Sequence, residues 1–406
     1  MNRIPGNHLL YYVDAKRTKA SFCKQNPVSL RNFPTAKERR EYLSKKLDID
    51  LSILQSDSIE NDQNVHCENV IGATQIPLGV AGPLRILDDG KIRDVYIPMA
   101  TTEGALVAST SRGSKAIFLS GGAKVYSKLH GQTRGPVFST KSVSKGIELK
   151  EWIENNVKKL AAASSKTSSH IKYLSAKVKV IGANTYVRFS FDTKDAMGMN
   201  MVTIATEVLV GLIEKETGAK CISVAGNFDI DKKSAWLNVI DGRGQEAWAE
   251  SVIKAQVLRD ILHTDAEALY STWLAKCMVG SYASGSLGFN AHFANMISAV
   301  FIATGQDPAH VVEGSCGITT CEVRGGDLYI SVNIPSLLVG TVGGGTVLPT
   351  QKAALRLMGV NGNSRSDDLA RSIIGAVLAG ELSLLASLST KTLGEAHQKL
   401  GRRKKA

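Results

Sequence analysis

The segment from Asp195 to Ala205 constrains the fold of this chain more than any other. It opens a run of apolar residues at the 3.6-residue period of a half-buried helix, at Met197, Met201, Ile204, Val208 and Leu212. We predict that Asp195 caps this helix and that Gly218 ends it. A helix N-terminus presents unpaired N–H groups and a positive dipole end. The segment therefore fits either a phosphate-bearing ligand or an ordinary amphipathic core helix.

The composition is that of an ordinary globular protein. The chain has 406 residues, 43% of them apolar and 21% charged, which is enough for two or three domains around a large core. No uninterrupted apolar run reaches the ~18 residues of a membrane helix. The nearest candidate, residues 373–388, contains Glu381 and is interpreted as a packed internal helix. The N-terminal region lacks the apolar stretch of a signal peptide, so we expect a cytoplasmic protein that does not bind a membrane.

Residue types and charge exclude several kinds of site. Six cysteines in so long a chain do not predict a disulfide framework. The eight histidines form neither an HExxH motif nor a Cys/His cluster, so we predict no metal. The net charge is +12. Since no nucleic-acid-binding motif accompanies it, this charge indicates a solvated surface or a polyanionic ligand rather than nucleic acid.

The element pattern divides the chain into five parts. Residues 1–66 are polar and helical in pattern, with a helix after the capping residue Thr35. Residues 67–134 and 235–397 are predicted to form one large domain, whose second part is rich in helices with glycine-dense connections. Residues 135–224 interleave strands and helices as an inserted α+β domain, and no G-x-G-x-x-G motif indicates a Rossmann fold. Residues 225–234 form a connecting loop, and 398–406 a flexible basic tail.

A series of short motifs follows one order along the chain. They are Glu68-Asn-Val-Ile-Gly72, Gly79-Val-Ala-Gly-Pro-Leu84, Met99-Ala-Thr-Thr-Glu-Gly104, Asp195-Ala-Met-Gly-Met-Asn200, Asp231-Lys-Lys233, Asn290-Ala-His-Phe-Ala-Asn295, Gly305-Gln-Asp307 and Gly340-Thr-Val-Gly-Gly-Gly-Thr346. This series resembles the motifs of the 3-hydroxy-3-methylglutaryl-coenzyme A (HMG-CoA) reductase family. The resemblance implies an α+β fold with three parts: a large helix-rich substrate domain, an inserted ferredoxin-like cofactor domain and a small helical N-terminal domain.

The activity that the resemblance implies is the NADPH-dependent, four-electron reduction of HMG-CoA to mevalonate and coenzyme A, in isoprenoid biosynthesis. The chemistry needs an oxyanion stabiliser, a carboxyl proton donor and an acid for the leaving thiolate. The matching positions are Lys232 as oxyanion stabiliser, Glu103 as proton donor, Asp307 between these two, and His397 as the thiolate acid. Without the resemblance, each of these residues also fits a structural role in a loop, turn or helix end.

The same motifs imply three groups of binding residues. The acyl group of the substrate is assigned to Arg134, Asp231, Lys233, Lys276, His292 and Asn295. The phosphates of coenzyme A are assigned to Arg112 and Arg402. The dinucleotide is assigned to Asp195, Met197, Gly198, Met199, Asn200, Gly343, Gly344 and Gly345. Lys276 and His292 also fit structural roles, and the three consecutive glycines also fit a tight loop.

Some positions depart from the family pattern. Ala225 and Ser234 stand where the family often has serine and proline, and residues 167–170 lack an arginine often found near the cofactor. We expect NADPH as the cofactor, with NADH less favoured. The ending Leu-Gly-Arg402 resembles soluble class I enzymes of archaeal or prokaryotic type, which implies a homodimer, or a higher homo-oligomer, with active sites at the subunit interface. Two alternatives stay open: NAD-linked mevalonate oxidation, and a catalytically inactive coenzyme A-binding regulator.

Overall fold

The computed structural model describes residues 28–60, 65–360 and 365–391. Within these ranges the strands are β1 Leu78–Asp88, β2 Lys91–Ala100, β3 Ala123–Arg134, β4 Val137–Ser139, β5 Lys172–Ile181, β6 Asn184–Asp192, β7 Lys220–Ser223, β8 Gly244–Ile253, β9 Ile318–Arg324 and β10 Asp327–Leu337. The α-helices are α1 Ala36–Leu47, α2 Asp57–Glu60, α3 Leu106–Leu119, α4 Val143–Asn155, α5 Val157–Ser164, α6 Met199–Thr217, α7 Trp236–Asp241, α8 Ala255–Leu262, α9 Ala266–Trp273, α10 Ser281–Ser284, α11 Phe293–Thr304, α12 Val311–Gly314, α13 Pro349–Leu357 and α14 Ser366–Ser389. Short 3-10 helices span Leu30–Asn32, Ser52–Leu54, Pro308–His310 and Gly344–Val347, and a π-helix spans Leu274–Gly280.

The first compact unit contains α1 and the segment 67–72. Thr35 caps α1 as predicted, since its hydroxyl accepts a hydrogen bond from the backbone N–H of Glu38 at 3.2 Å. Arg39 and Arg40 of this helix donate hydrogen bonds to the carbonyls of Val70 and Ile71, each at 2.7 Å. The segment with the motif Glu68–Gly72 is thereby tied to the N-terminal helix.

In the second unit, a mixed sheet forms the base of the larger core. Strands β1 and β2 form an antiparallel hairpin, and β1 pairs in parallel with the start of β3. From β3 the sheet continues in the antiparallel order β3-β8-β10-β9. Helices α3, α11 and α14 pack against these strands and bury residues such as Leu84, Ile86, Met296, Ile330 and Leu378.

The last residues of β3, Gln132–Arg134, pair with β6 and lead the chain into a second sheet. There β4, β5, β6 and β7 pair antiparallel in the spatial order β7-β4-β6-β5, with α4 and α5 before β5 and α6 before β7. A β-α-β-β-α-β sequence of elements in this order is the ferredoxin-like arrangement that the resemblance implied. Its own core holds Phe138, Phe189, Phe191, Leu209 and Ile213. The α+β fold class is therefore confirmed, whereas the domain boundaries stay predictions.

Helix α6 differs from its prediction in two respects. Its N-cap is Gly198 rather than Asp195, and its first residue is Met199. Its buried residues are Val202, Ala205, Thr206, Leu209 and Ile213. Two members of the predicted stripe, Met201 and Leu212, pack against this core, whereas Ile204 and Val208 are exposed, so that part of the prediction was wrong. Apolar residues surround most of this helix, and the period alone could not choose the face. Its predicted end at Gly218 is confirmed, because this residue has φ +72° and donates to the carbonyl of Glu214.

Among the described residues, α14 is the one helix long and apolar enough to cross a membrane, but 83% of its most apolar window is buried inside the protein. The interpretation of this segment as an internal helix is confirmed. The region after residue 235 also contains strands β8, β9 and β10, which its description as helix-rich did not include. Cys67, Cys221, Cys277, Cys316 and Cys321, the cysteines within the described ranges, are free thiols.

Candidate active site

The structure brings Lys232 and Asp307 into direct contact, although they are 75 residues apart. Lys232 lies in the loop between β7 and α7, and Asp307 immediately precedes the 3-10 helix Pro308–His310. The Lys232 ammonium lies 2.8 Å from Oδ2 of Asp307, with both side chains partly exposed to solvent. An ammonium fixed by one carboxylate and still open to solvent can approach the oxygen of a bound carbonyl group.

Asp307 is held in its charged form. Its Oδ1 accepts a hydrogen bond from the backbone N–H of Ala309 at 3.0 Å, which caps the short helix. Burial alone would raise the pKa of the Asp307 carboxyl, but the hydrogen bonds from Lys232 and Ala309 outweigh it and lower the pKa below its ordinary value of 3.8. Asp307 is therefore a carboxylate at neutral pH and orients the Lys232 side chain.

A buried charged cluster lies beneath this pair. Arg243 donates from Nη1 to Glu313 at 2.7 Å and from Nη2 to Asp231 at 2.9 Å, and its side chain has no solvent exposure. His310 Nδ1 lies 3.3 Å from Oε1 of Glu313 and 4.0 Å from Oδ1 of Asp231. None of the sequence motifs includes Arg243, His310 or Glu313. The one feature that could have indicated them is that His310 and Glu313 follow Asp307 three and six residues later, within one short helical stretch.

The ligand atoms of Asp231, His310 and Glu313 lie within 4.8 Å of one another, which is close enough for them to share one metal ion. However, the guanidinium of Arg243 already donates to both carboxylates. A cation of the chain itself thus already pairs with both carboxylates, at the position where a metal ion would bind. The absence of a metal stays a prediction.

Glu103 lies at the junction between β2 and α3, as the sequence predicted. Its Oε1 accepts a hydrogen bond from the side-chain amide of Asn295 at 3.3 Å, in the first turn of α11. Two residues assigned to the same reaction are thereby adjacent. Asp307 was expected to link Lys232 and Glu103. It contacts Lys232, whereas the Glu103 side chain is hydrogen-bonded to Asn295.

A cavity of about 780 Å³ lies between the start of α6 and the glycine-rich loop before α13. Seven of the residues assigned to the dinucleotide line it: Met197, Gly198, Met199, Asn200, Gly343, Gly344 and Gly345. Asp307 lines the same cavity. A side chain at Gly343 or Gly344 would meet open space, so a planar ring or a phosphate can approach the backbone there. Gly345 has a different function, because its backbone packs against that of Gly305 with no room for a Cβ.

Asp195 holds neighbouring segments together instead of capping α6. Its Oδ1 accepts a hydrogen bond from the backbone N–H of Ser366 at 3.0 Å, at the start of α14. Its carbonyl accepts from the backbone N–H groups of Thr341 and Val342. The prediction of Asp195 as an N-cap was wrong because these distant partners compete successfully for its polar groups. Its position still fixes the loop that leads into the cavity.

A second cavity, of about 950 Å³, contains other predicted substrate residues. Lys276, His292 and Ser234 line it, and Lys276 lies on the π-helix, an element that is frequent at functional sites. His292 Nε2 is buried and has no hydrogen-bond partner in the described structure. A buried unpaired nitrogen in a cavity wall is suited to a polar group of a ligand.

Several predicted binding residues already have partners within the chain. Arg134 donates to Thr203 at 2.7 Å and pairs with the buried Asp229 at 3.2 Å. Lys233 is exposed, and its ammonium contacts the carbonyl of Asp231 at 3.3 Å. These contacts leave their substrate roles as predictions.

Arg112 lies in α3 and donates to the carbonyl of Ser383 at 2.7 Å and to its hydroxyl at 3.0 Å. It also lines a third cavity of about 630 Å³, together with Lys115 and His263. Asp260 also lines this cavity, so its charged side chains are of both signs. His397 and Arg402 lie outside the described residues, so their assigned roles also stay predictions.

Comparison with known proteins agrees with this geometry. The hydroxymethylglutaryl-coenzyme A reductase family matches residues 35–402. The 3-hydroxy-3-methylglutaryl-coenzyme A reductase of Methanothermobacter thermautotrophicus is 46% identical over 367 residues, which cover 90% of this chain and 92% of that protein. The reductase of Aeropyrum pernix is 48% identical over 373 residues, with 90% and 89% covered.

Solved structures share the fold. The class II 3-hydroxy-3-methylglutaryl-CoA reductase of Streptococcus pneumoniae, in a structure bound to NADPH, has a TM-score of 0.66 and 21% identity to this chain. The match covers 89% of this chain and 100% of that one. The family match over residues 35–402 and the curated relatives confirm the family that the motifs indicated, and the chain belongs to the hydroxymethylglutaryl-coenzyme A reductase family.

Proposed function

We propose that this chain reduces HMG-CoA to mevalonate and coenzyme A with two molecules of NADPH. One observation carries the proposal. Asp307, which lies 2.8 Å from the Lys232 ammonium, also lines the cavity formed by Met197, Asn200 and the glycine-rich loop. A cofactor ring in that cavity would lie beside a charged group able to stabilise a carbonyl oxygen. The curated relatives that are 46% and 48% identical over most of the chain bear the name of this activity.

The residues divide the chemistry between them. NADPH bound in the cavity lined by Met197, Asn200 and the glycine-rich loop would supply the hydride for each of the two reductive steps. Lys232 stabilises the negative charge that develops on the carbonyl oxygen, and Glu103 donates the proton that this oxygen takes up. Between the two hydride transfers the thiohemiacetal returns its hydroxyl proton to Glu103 and its C–S bond breaks, which gives an aldehyde and the coenzyme A thiolate. His397 donates a proton to the departing thiolate, a task suited to an imidazole near neutral pH.

The acyl group of HMG-CoA would bind beside these residues. Lys276 and His292 line one cavity, and Asn295 orients Glu103. Arg134 lies at the end of β3 and pairs with Asp229. Asp229 belongs to the loop that also carries Asp231, Lys232 and Lys233. We assign the phosphates of coenzyme A to Arg112 and Arg402.

We further infer the class and the setting of the enzyme. The two curated relatives described above are archaeal, and the motif-based resemblance is to class I enzymes of archaeal or prokaryotic type. We therefore propose a cytoplasmic class I enzyme that acts in the biosynthetic direction as a homodimer. Active sites would lie at the subunit interface. Light scattering tests the assembly, and full activity of a monomer at nanomolar concentration would contradict it.

The deciding experiment uses the full chain. Incubation with HMG-CoA and NADPH should decrease absorbance at the wavelength of the reduced cofactor, with two NADPH oxidised per mevalonate identified by mass spectrometry. Parallel reactions with NADH, and with mevalonate, coenzyme A and NAD, test the oxidative alternative. The Lys232→Ala variant serves as the inactive control. If HMG-CoA binds but no cofactor is oxidised, the chain is a coenzyme A-binding regulator instead.

A further inference from the structure

The loop that carries Lys232 has an unusual backbone. Ile230 and Lys232 have φ angles of +53° and +55°, in the left-handed region that residues with side chains rarely adopt. A β-branched residue such as Ile230 is the least suited to it. Such a conformation persists only where the surrounding structure over-determines it. Other groups of the protein must therefore fix this turn.

Glu313, in α12, makes the contact that does so. Its Oε1 accepts a hydrogen bond from the backbone N–H of Lys232 at 2.6 Å. The same oxygen accepts from Nη1 of Arg243 at 2.7 Å, and neither the Glu313 nor the Arg243 side chain is exposed to solvent. Hydrogen bonds to an ionised group are shorter and stronger than neutral ones, and the low local dielectric strengthens them further.

The partners of Glu313 fix the neighbouring residues. Arg243 also donates to Oδ1 of Asp231 at 2.9 Å and to the Thr133 hydroxyl at 2.8 Å. The position before Lys232 is thus held by the same guanidinium that pairs with Glu313. Two hydrogen bonds therefore fix the turn: one to the side chain of Asp231 and one from the backbone N–H of Lys232.

The His310 ring lies between Glu313 and Asp307. His310 Nδ1 lies 3.3 Å from Oε1 of Glu313, and His310 Nε2 lies 3.7 Å from Oδ2 of Asp307. Glu313 therefore holds Lys232 by a direct hydrogen bond, whereas the separation between His310 Nε2 and Asp307 is too long for one. No contact of Glu313 with either cavity is needed for this effect.

We propose that Glu313 is a positioning residue for the reduction. It holds Lys232 in the left-handed turn and so directs the ammonium towards Asp307 and the substrate oxygen. The catalytic consequence rests on the function proposed above, whereas the effect on the loop does not. Glu313 acts through Lys232 and does not touch the substrate.

The kinetic test compares Glu313→Gln, which keeps an acceptor oxygen but no charge, with Glu313→Ala, which removes the acceptor. We expect kcat to fall about tenfold in Glu313→Gln and about a hundredfold in Glu313→Ala, because a small misplacement of a catalytic group has effects of this order. The KM for HMG-CoA and the Kd for NADPH should change less than about twofold, since both cavities are intact. Glu246→Gln is the control, as Glu246 pairs with His130 at 2.7 Å on β8, outside the site.

A double-mutant cycle separates positioning from general damage. If Glu313 acts through Lys232, Glu313→Gln should lower the single-turnover rate of Lys232→Ala no further. Multiplied losses in the double variant would overturn the proposal.

Crystal structures of the wild type and Glu313→Ala give a readout that needs no activity, with Glu313→Gln as the variant that retains the fold more readily. We expect the Lys232–Asp307 contact to lengthen beyond about 4 Å, the outer limit of a direct ion pair. An unchanged loop would overturn the proposal. If the loop moves but the wild type does not reduce HMG-CoA, the proposed function fails and the positioning role stands.

Discussion

Glu381 provides a quantitative test of how the core supports the site. It lies in α14 with no solvent exposure. Its Oε1 accepts a hydrogen bond from the backbone N–H of His292 at 2.7 Å. Its Oε2 accepts from the backbone N–H of Ala291 at 2.8 Å and from the Thr319 hydroxyl at 2.6 Å. One carboxylate therefore joins α14 to β9 and to the segment that precedes α11.

The substitution Glu381→Gln retains the volume of the side chain but has only one acceptor oxygen. Its NH₂ group must then face a donor, either His292 or the Ala291–Thr319 pair. At least one hydrogen bond to a charged group is lost, at about 1.5–3 kcal/mol, and a buried N–H is left unpaired, at about 1–3 kcal/mol. These terms overlap, so we expect the free energy of unfolding to fall by about 3 kcal/mol.

Urea unfolding followed by tryptophan fluorescence measures this change. Trp273 donates from its indole N–H to the carbonyl of Thr319 at 2.6 Å, so one fluorophore is adjacent to the altered bonds. Glu207→Gln, at an exposed position of α6, is the matched control and should change the free energy of unfolding by less than about 0.5 kcal/mol. A loss below about 1 kcal/mol in Glu381→Gln would refute the reasoning, because the three bonds would then contribute little.

The remaining predictions concern the site. Gly198→Ala should weaken NADPH binding at least about tenfold in a fluorescence titration, because an alanine at φ +82° is strained by about 1–2 kcal/mol and its Cβ would lie 2.5 Å from a side-chain carbon. Because folding lowers the pKa of Asp307, its carboxylate stabilises the fold at pH values above the ordinary pKa of 3.8. This contribution is lost as the pH falls through the lower pKa of the folded state. Asp307→Asn should therefore flatten this part of the acid-unfolding curve measured by circular dichroism. Lys232→Ala and Glu103→Gln should each lower turnover by at least about a hundredfold in the NADPH assay, and near-normal turnover in a folded variant would contradict their assignment. Truncation after Leu393 should nearly abolish thioester reduction but spare mevaldehyde reduction, which expels no thiolate, and equal damage to both would exclude a thiolate acid in the tail.

The sequence predicts features that depend on a few neighbouring residues. Thr35 caps α1 because its hydroxyl reaches a backbone N–H three residues later, which is a local rule. Gly218 ends α6 for a similarly local reason, since glycine adopts positive φ without a steric penalty. By the same capping rule Asp195 was predicted to cap α6, but its carboxylate accepts a hydrogen bond from the backbone N–H of Ser366, 171 residues away. In the folded chain a distant backbone N–H competes for the Asp195 carboxylate, and no pattern of neighbouring residues indicates that partner.

Strand β8 shows a second limit. Along it, buried positions alternate with partly exposed ones, as expected for a strand. However, the buried positions include Gln245, Ala247 and Ser251, whereas Trp248 lies on the other face. The polarity pattern that usually predicts a strand is therefore absent. The sheet buries small side chains because β8 is a central strand, between β3 and β10, beneath the closely packed α14.

The site combines both situations. The motifs name Lys232 and Asp307, and short sequence signals place each in a loop. The loop that carries Lys232 is hydrogen-bonded to the buried Arg243 and Glu313, which belong to no motif. An isolated buried charge would be strongly destabilising, so Arg243 can be retained only together with Glu313 and Asp231. Each of the three charged side chains can be buried only if the folded chain also brings the other two, from separate segments, into contact with it. For this reason a residue pattern can indicate which groups react, whereas the groups that hold them in place become apparent only once the chain is folded.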